Sequence, residues 1–207
     1  MLSRNSFFSY AVPVLLLVAG SVFFLQGDKK PAGQDKPKGG APAQGDGMEM
    51  PKEKPLPEHL QLKKSVGTWD CVCKYGMAPG APMMESKGTS TEHMLGDFVL
   101  VQEFKGDMMG MPFTGIGLVG YDSFDKKYFS TWCDSMSSQL MVSQGTADEK
   151  SHVVTFTGEC KDPSGKPMKA RMTLENKDDN HRLFAMYVPG PDGKEFKCMT
   201  IDYTRRK

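Results

Sequence analysis

The chain is poor in the residues that most often carry chemistry. Only four histidines occur in 207 residues, and His59, His93, His152 and His181 form no linear ligand or triad pattern. Neither C-x-x-C nor H-x-x-x-H spacing is present, which disfavours zinc. A serine nucleophile elbow, a metalloprotease motif and a phosphate-cradling glycine loop are missing as well. Gly115-Ile116-Gly117 lies inside an apolar stretch with no helix after it, so it is no dinucleotide fingerprint. Carboxylates such as Asp122 and Asp125 sit among turn formers. These absences read as a protein that is not an enzyme and carries no cofactor. An excess of one charge is also lacking: 26 Lys and Arg balance 25 Asp and Glu. A net charge of +1 gives no broad pull toward nucleic acid.

Long apolar runs are missing except one. From Phe7 to Leu25 the chain is almost wholly apolar, with Arg4 before it and Asp28-Lys29-Lys30 after it. The run lies between a signal-peptide core and a spanning helix in length, so residues 1–26 read as a signal peptide or a membrane anchor. Cutting at Val18-Ala19-Gly20 would leave Ser21-Val22-Phe23-Phe24-Leu25 as an apolar new terminus, which makes an uncleaved anchor a serious rival. Lys29, Lys30, Lys36 and Lys38 oppose export by the positive-inside rule, but a downstream domain overrides a weak charge bias. The expected location is extracytoplasmic, periplasmic or secreted, with the membrane as partner if the segment is retained. Residues 27–56 are rich in Lys, Pro, Gly, Gln and Asp and cannot bury enough to offset their ordering entropy, so they read as a disordered linker.

Residues 57–207 read as the globular domain. Pro57 to Lys64 suits a short helix, with Leu60, Lys63 and Lys64 along one side, and is too short to be more than a plug on something else. After Gly67 the chain alternates and is cut by turn residues. Strands are expected at 68–75, 86–95, 98–105, 113–121, 127–134, 139–145, 153–160, 168–176, 181–188 and 195–204. About ten antiparallel strands with no helical crossover imply an all-β domain. Closure into a barrel removes the exposed edges of such a meander, although a two-sheet sandwich fits the same periodicity.

Gly67-Thr68-Trp69 opens the first strand and Tyr203-Thr204-Arg205-Arg206 ends the last. In a closed meander these strands are neighbours, so Arg205 can lie over Trp69 as a cation–π pair worth about 0.5 to 2 kcal/mol. The arrangement resembles the calycins, the lipocalins and fatty-acid-binding proteins, in which a Gly-x-Trp opens the barrel and a late Arg closes over it. A closer resemblance runs from Glu58 to Arg206. It rests on His59-Leu60-x-Leu62, Val66-Gly67-Thr68-Trp69-Asp70, Phe104-Lys105-Gly106-Asp107-Met108-Met109-Gly110-Met111-Pro112-Phe113, Gly115 to Asp122, Tyr128-x-Ser130-Thr131-Trp132 and Gly190-Pro191-x-Gly193-Lys194-Glu195. These phrases are similar to those of the bacterial domain of unknown function 1579 family. The resemblance implies a barrel and assigns no substrate.

Within such a barrel the candidate ligand-lining residues are Phe98, Leu100, Phe104, Phe113, Tyr121, Trp132, Met141, Met186 and Tyr203. Tyr203 and Arg205, with Arg171 from an earlier strand, could hold a ligand carboxylate, but capping Trp69 takes precedence for Arg205. Five cysteines, Cys71, Cys73, Cys133, Cys160 and Cys198, suit an oxidising compartment, and their odd number leaves at least one unpaired. Cys71 and Cys73 share a face and cannot easily bond each other. Cys198 is the nearest candidate partner for either, with Cys133 and Cys160 a looser pair. Met108, Met109 and Met111 could offer thioethers to Cu(I), yet a plastic apolar rim is the better reading of so much methionine. The first expectation is therefore an exported barrel that binds a small apolar or amphipathic ligand. The alternative is a membrane-tethered structural or interaction module with a packed interior, and a haem or copper protein trails both.

Overall fold

In the computed structural model the described residues are 53–207, apart from 149 and 163. The apolar run from Phe7 to Leu25, read above as a signal peptide or anchor, and nearly all of residues 27–56 lie outside them. Pro55–Lys207 forms one compact unit. Among the described residues no helix is long and apolar enough to cross a membrane.

The elements are α1 (Pro57–Lys63), β1 (Gly67–Tyr75), β2 (Met84–Leu95), β3 (Val99–Met108), β4 (Met111–Asp122), β5 (Lys127–Asp134), β6 (Ser137–Asp148), β7 (Val153–Lys161), β8 (Pro167–Asn176), β9 (His181–Pro189) and β10 (Glu195–Arg205). Each strand pairs with its chain neighbour, and β1 pairs antiparallel with β10 to close the barrel. Closure decides against the sandwich. Every backbone edge is satisfied by a neighbouring strand, which is the gain that an open meander forgoes. Expected and observed strands differ most at β6, which extends beyond 139–145 at both ends, and at the β3–β4 hairpin, where the sequence suggested a loop. Met109 and Gly110 both take positive φ, 58° and 80°, and form a two-residue turn that lets pairing run on to Met108 and Met111.

Alternation sends one face of each strand inward. On β1 this buries Trp69, Cys71, Cys73 and Tyr75, and in register beside them β2 places Ser90, Gly88, Ser86 and Met84. The interior divides into two apolar clusters. One holds Leu62, Leu100, Val119, Tyr128, Phe156 and Met172; the other holds Trp69, Cys71, Cys73, Phe104 and Phe113. Inward glycines are matched to rings from neighbouring strands. A Cβ at Gly88 would stand 2.3 Å from the Phe104 ring, and one at Gly115 would stand 2.3 Å from Trp132. Large residues thus fill the room that the glycines leave.

Helix α1 plugs one end, but with a different face from the one expected. Leu60 is 52% exposed, while His59 and Leu62 are buried. The reason is that the spacing of three brings His59 and Leu62 onto one side. Leu62 joins the Leu100–Val119 cluster. His59 accepts the Leu56 amide at Nδ1, 2.9 Å, so Nε2 carries the proton and donates to the Tyr121 carbonyl, 2.9 Å. The rings of Phe98 and Tyr121 meet His59 edge-on at 5.1 and 5.8 Å.

The ring-into-glycine packing has a direct test. Gly115→Ala should destabilise the barrel by about 1 to 3 kcal/mol, because Trp132 must leave its site against packed neighbours. Urea unfolding followed by tryptophan emission measures this; an unchanged midpoint would mean that Trp132 shifts freely.

Candidate functional site

The inner faces of β2 and β9 each carry one charge. On β2, Ser90, Glu92 and Met94 point inward; on β9, Arg182, Phe184 and Met186 do. The Glu92 and Arg182 side chains, 90 residues apart in sequence, are 0% and 2% exposed and form an ion pair through Oε1 and Nη2. Ser90 Oγ and Gln102 Nε2 also donate to Glu92 Oε1, at 3.0 and 3.1 Å. The Arg182 guanidinium lies over the rings of Trp69 and Tyr203, 4.1 and 4.5 Å from their centroids. Burial pushes the Tyr203 phenol upward, so it stays neutral. Five strands, β1, β2, β3, β9 and β10, contribute to this cluster.

Three polar atoms in it have no protein partner: Glu92 Oε2, Arg182 Nε and Arg182 Nη1. Each such atom costs roughly 1 to 3 kcal/mol when buried unpaired. A buried ion pair is seldom a net source of stability, so packing alone does not account for this one.

Above the cluster the expected closure is in place. Arg205 stands 4.1 Å over the Trp69 ring. Its guanidinium also donates to the carbonyls of Val66 at 2.7 Å, Lys64 at 2.6 Å and Asp179 at 2.8 Å, which ties the end of α1 to the β8–β9 hairpin. Gly67 is required beneath it, since its φ is 139° and a Cβ would lie 2.8 Å from Arg205 Nη1. Trp69 donates from Nε1 to the Ser65 carbonyl at 2.9 Å. A crevice of about 40 Å³ between α1 and the β8–β9 hairpin reaches Trp69, Asn176 and Arg205.

Of the candidate lining residues, Leu100, Phe104, Phe113, Tyr121, Trp132, Met141, Met186 and Tyr203 all lie at inward positions and pack into the two clusters. Phe98 does not: it sits in the turn before β3, against His59. The carboxylate hook is not assembled either. Arg171 pairs with Glu195 at 2.8 Å and lies 3.9 Å over Tyr187, while Arg205 is committed to the closing seam. The cation beside Tyr203 is Arg182, which sequence reasoning missed together with Glu92 and Gln102. The available signal was Arg182 at the parity of Phe184 and Met186 on β9; Glu92 gave none, because β2 is polar on both faces around it.

All five cysteines are free thiols. The β1–β10 register explains why Cys198 bonds neither Cys71 nor Cys73. These lie opposite Tyr203 and Ile201, whereas Cys198 occupies an irregularity farther along, its carbonyl accepting the Gly76 amide at 2.8 Å. Cys133 shares the outward parity of Ile116, while Cys160 has the inward parity of Phe156, so these two face opposite sides of the wall. Among the methionines, Met108 and Met111 are cross-strand partners, and Met109 is 52% exposed at the turn tip.

Two measurements follow from the site. Arg182→Met or Glu92→Met should each cost about 3 to 5 kcal/mol by stranding a buried charge, and the double variant should lose less than either. Urea unfolding of the four proteins decides; additive losses would mean that the charges do not couple. Burial pushes the Cys71 thiol up to about 12, and those of Cys73 and Cys198 up to about 11. At pH 8 these thiols stay protonated in the barrel, so alkylation mapped by peptide mass should mark Cys133 first and reach Cys71 and Cys73 only on unfolding. Above the ordinary thiol range the unfolded chain sheds protons that the barrel retains, so these thiols make stability fall as pH rises.

The geometry has known counterparts. Rv2717c from M. tuberculosis superposes with a TM-score of 0.57 at 11% identity, over 74% of this chain and 100% of that one. The S-type phycobiliprotein lyase CPES from Guillardia theta gives 0.50 at 12% identity, over 72% of this chain and 92% of that one. At such identities the likeness is one of fold. No curated protein matches the chain. The family model described as protein of unknown function (DUF1579) matches residues 54–205, which hold α1 and the whole barrel, and the chain therefore belongs to the DUF1579 family.

Proposed function

We propose that this protein is an extracytoplasmic binding module whose barrel holds a small molecule at the Glu92–Arg182 pair. The observation that carries this reading is the set of unpartnered buried atoms, Glu92 Oε2, Arg182 Nε and Arg182 Nη1. A charged pair enclosed in apolar walls and left with open hydrogen-bonding positions is expensive as pure architecture and useful as an anchor. The apolar residues around it would enclose the rest of the ligand. Export, with retention at the membrane if the N-terminal segment is uncleaved, is supported by the apolar run from Phe7 to Leu25 and the polar linker after it. The lyase likeness adds a fold that suits a ligand-holding barrel and says nothing of which ligand.

A second reading is supported by a different observation. Rings occupy the space beside the inward glycines, as Trp132 does beside Gly115 and Phe156 beside Gly145, so those parts of the interior are already filled. On that reading the module is structural and binds partners only through its surface.

Native mass spectrometry of the full chain from an exporting bacterial host separates the two, with an absorption spectrum of the same sample. The expected result is excess mass that is lost on denaturation and missing from the Glu92→Met/Arg182→Met double variant. Bare polypeptide mass in both proteins would overturn the ligand reading in favour of the packed module, and a Soret band would redirect it to haem.

A further inference from the structure

We propose that the Glu92–Arg182 site takes an uncharged, planar head group that presents a carbonyl oxygen beside an N–H, the edge of an amide or a lactam. This rests on the small-molecule reading above and names the chemical class. The open atoms set the requirement. Arg182 Nε and Nη1 can only donate, and Glu92 Oε2, as part of a carboxylate held against a guanidinium, can only accept. A ligand that pairs with both residues must therefore bring both an acceptor and a donor. An amide edge has that pattern, its carbonyl taking a guanidinium N–H and its own N–H reaching Oε2.

Charge narrows the choice further. Glu92 and Arg182 neutralise each other, and the other buried polar side chains among the described residues, His59, Ser90 and Ser143, carry no fixed charge. A carboxylate ligand would add an uncompensated negative charge beside Glu92, and an ammonium would do the same beside Arg182; in a low-dielectric interior either is penalised. An uncharged ligand leaves the balance intact. Shape agrees, because Arg182 is held over the Trp69 and Tyr203 rings at 4.1 and 4.5 Å. Its planar guanidinium therefore offers a donor edge in a fixed orientation, which a planar amide edge matches. Room for the ligand body comes from methionine. Met94, Met141 and Met186 are only partly buried against the neighbouring cluster, and their unbranched thioether side chains can re-pack where branched or aromatic ones cannot.

The test uses the full-length protein and four probes: 2-pyrrolidone, N-methyl-2-pyrrolidone, acetate and 1-propanol, each followed by thermal shift and tryptophan emission. The lactam with its N–H should bind roughly tenfold more tightly than the N-methyl form, since one buried hydrogen bond is lost with the methyl group. Acetate should bind no better than the N-methyl form, and 1-propanol should fall below the lactam. This comparison is made on the wild-type chain, so it does not depend on a variant that folds. In the Glu92→Met/Arg182→Met variant the advantage of the N–H lactam should vanish. Equal binding of the two lactams, or stronger binding of acetate or 1-propanol, would overturn the proposal. Silence from every probe while the native mass still carries a ligand would overturn the head-group class and leave the binding reading standing. Silence together with a bare mass would sink both.

Discussion

The barrel depends on the ring of Trp69, because two guanidinium groups and the closing strand pair all meet there. Arg205 and Arg182 each stand 4.1 Å from it, the first at the closing seam and the second within the barrel. Through Arg205 the ring is linked to the backbone after α1 and to the β8–β9 hairpin. Through Arg182 it is linked to Glu92, and so to β2 and β3. A cation–π contact is a modest interaction taken alone. Here its importance lies in position. β1 and β10 are the two strands that no hairpin joins, so their pairing carries the largest loop-closure entropy of any neighbouring pair. The interactions gathered on Trp69 offset that cost at the one seam where the chain gives no help.

How much of this was legible in the sequence depended on whether the signal was local. Strand periods and turns are local, and the strands lie close to where alternation placed them; β5 spans 127–134 in both. Gly67-Thr68-Trp69 and Arg205 were legible because the ends of a closed meander must meet. The Met109-Gly110 turn was not, because a non-glycine residue at positive φ leaves no mark in composition. The helix face was misjudged because Leu60 looks more apolar than His59. Hydrogen bonding to Leu56 and Tyr121 is what lets an imidazole be buried there instead. Glu92 was hidden for a different reason. Its neighbours Ser90, Thr91 and His93 are polar as well, so β2 shows no alternation at that point. Only closure brings it to Arg182.

The interior is of two kinds, and the contrast bears on function. The cluster nearer α1 has a ring packed against a glycine, Phe156 against Gly145, but around Phe104 and Trp132 rings lie against glycine after glycine and leave no slack for a β-carbon. That half is specified by shape and resists rearrangement. The half nearer α1 holds Met94, Met141, Met172 and Met186, whose side chains bend at low cost. Glu92 and Arg182 stand between Trp69 and Tyr203 on one side and this softer cluster on the other.

A protein that needed only a stable barrel could fill those two positions with apolar residues of similar volume and be at least as stable. The chain instead keeps a charged pair with unpartnered hydrogen-bonding atoms at the border between a rigid wall and a plastic one. On the binding reading proposed above, a rigid wall would hold the pair in one orientation before a ligand arrives, and a plastic wall would adapt to what the pair selects. That division is the physical form that specificity takes in an enclosed site: direction from the polar anchor, tolerance from the apolar surroundings. On that binding reading, selectivity would rest in a few atoms of these two residues, while the many apolar contacts would supply affinity with little preference.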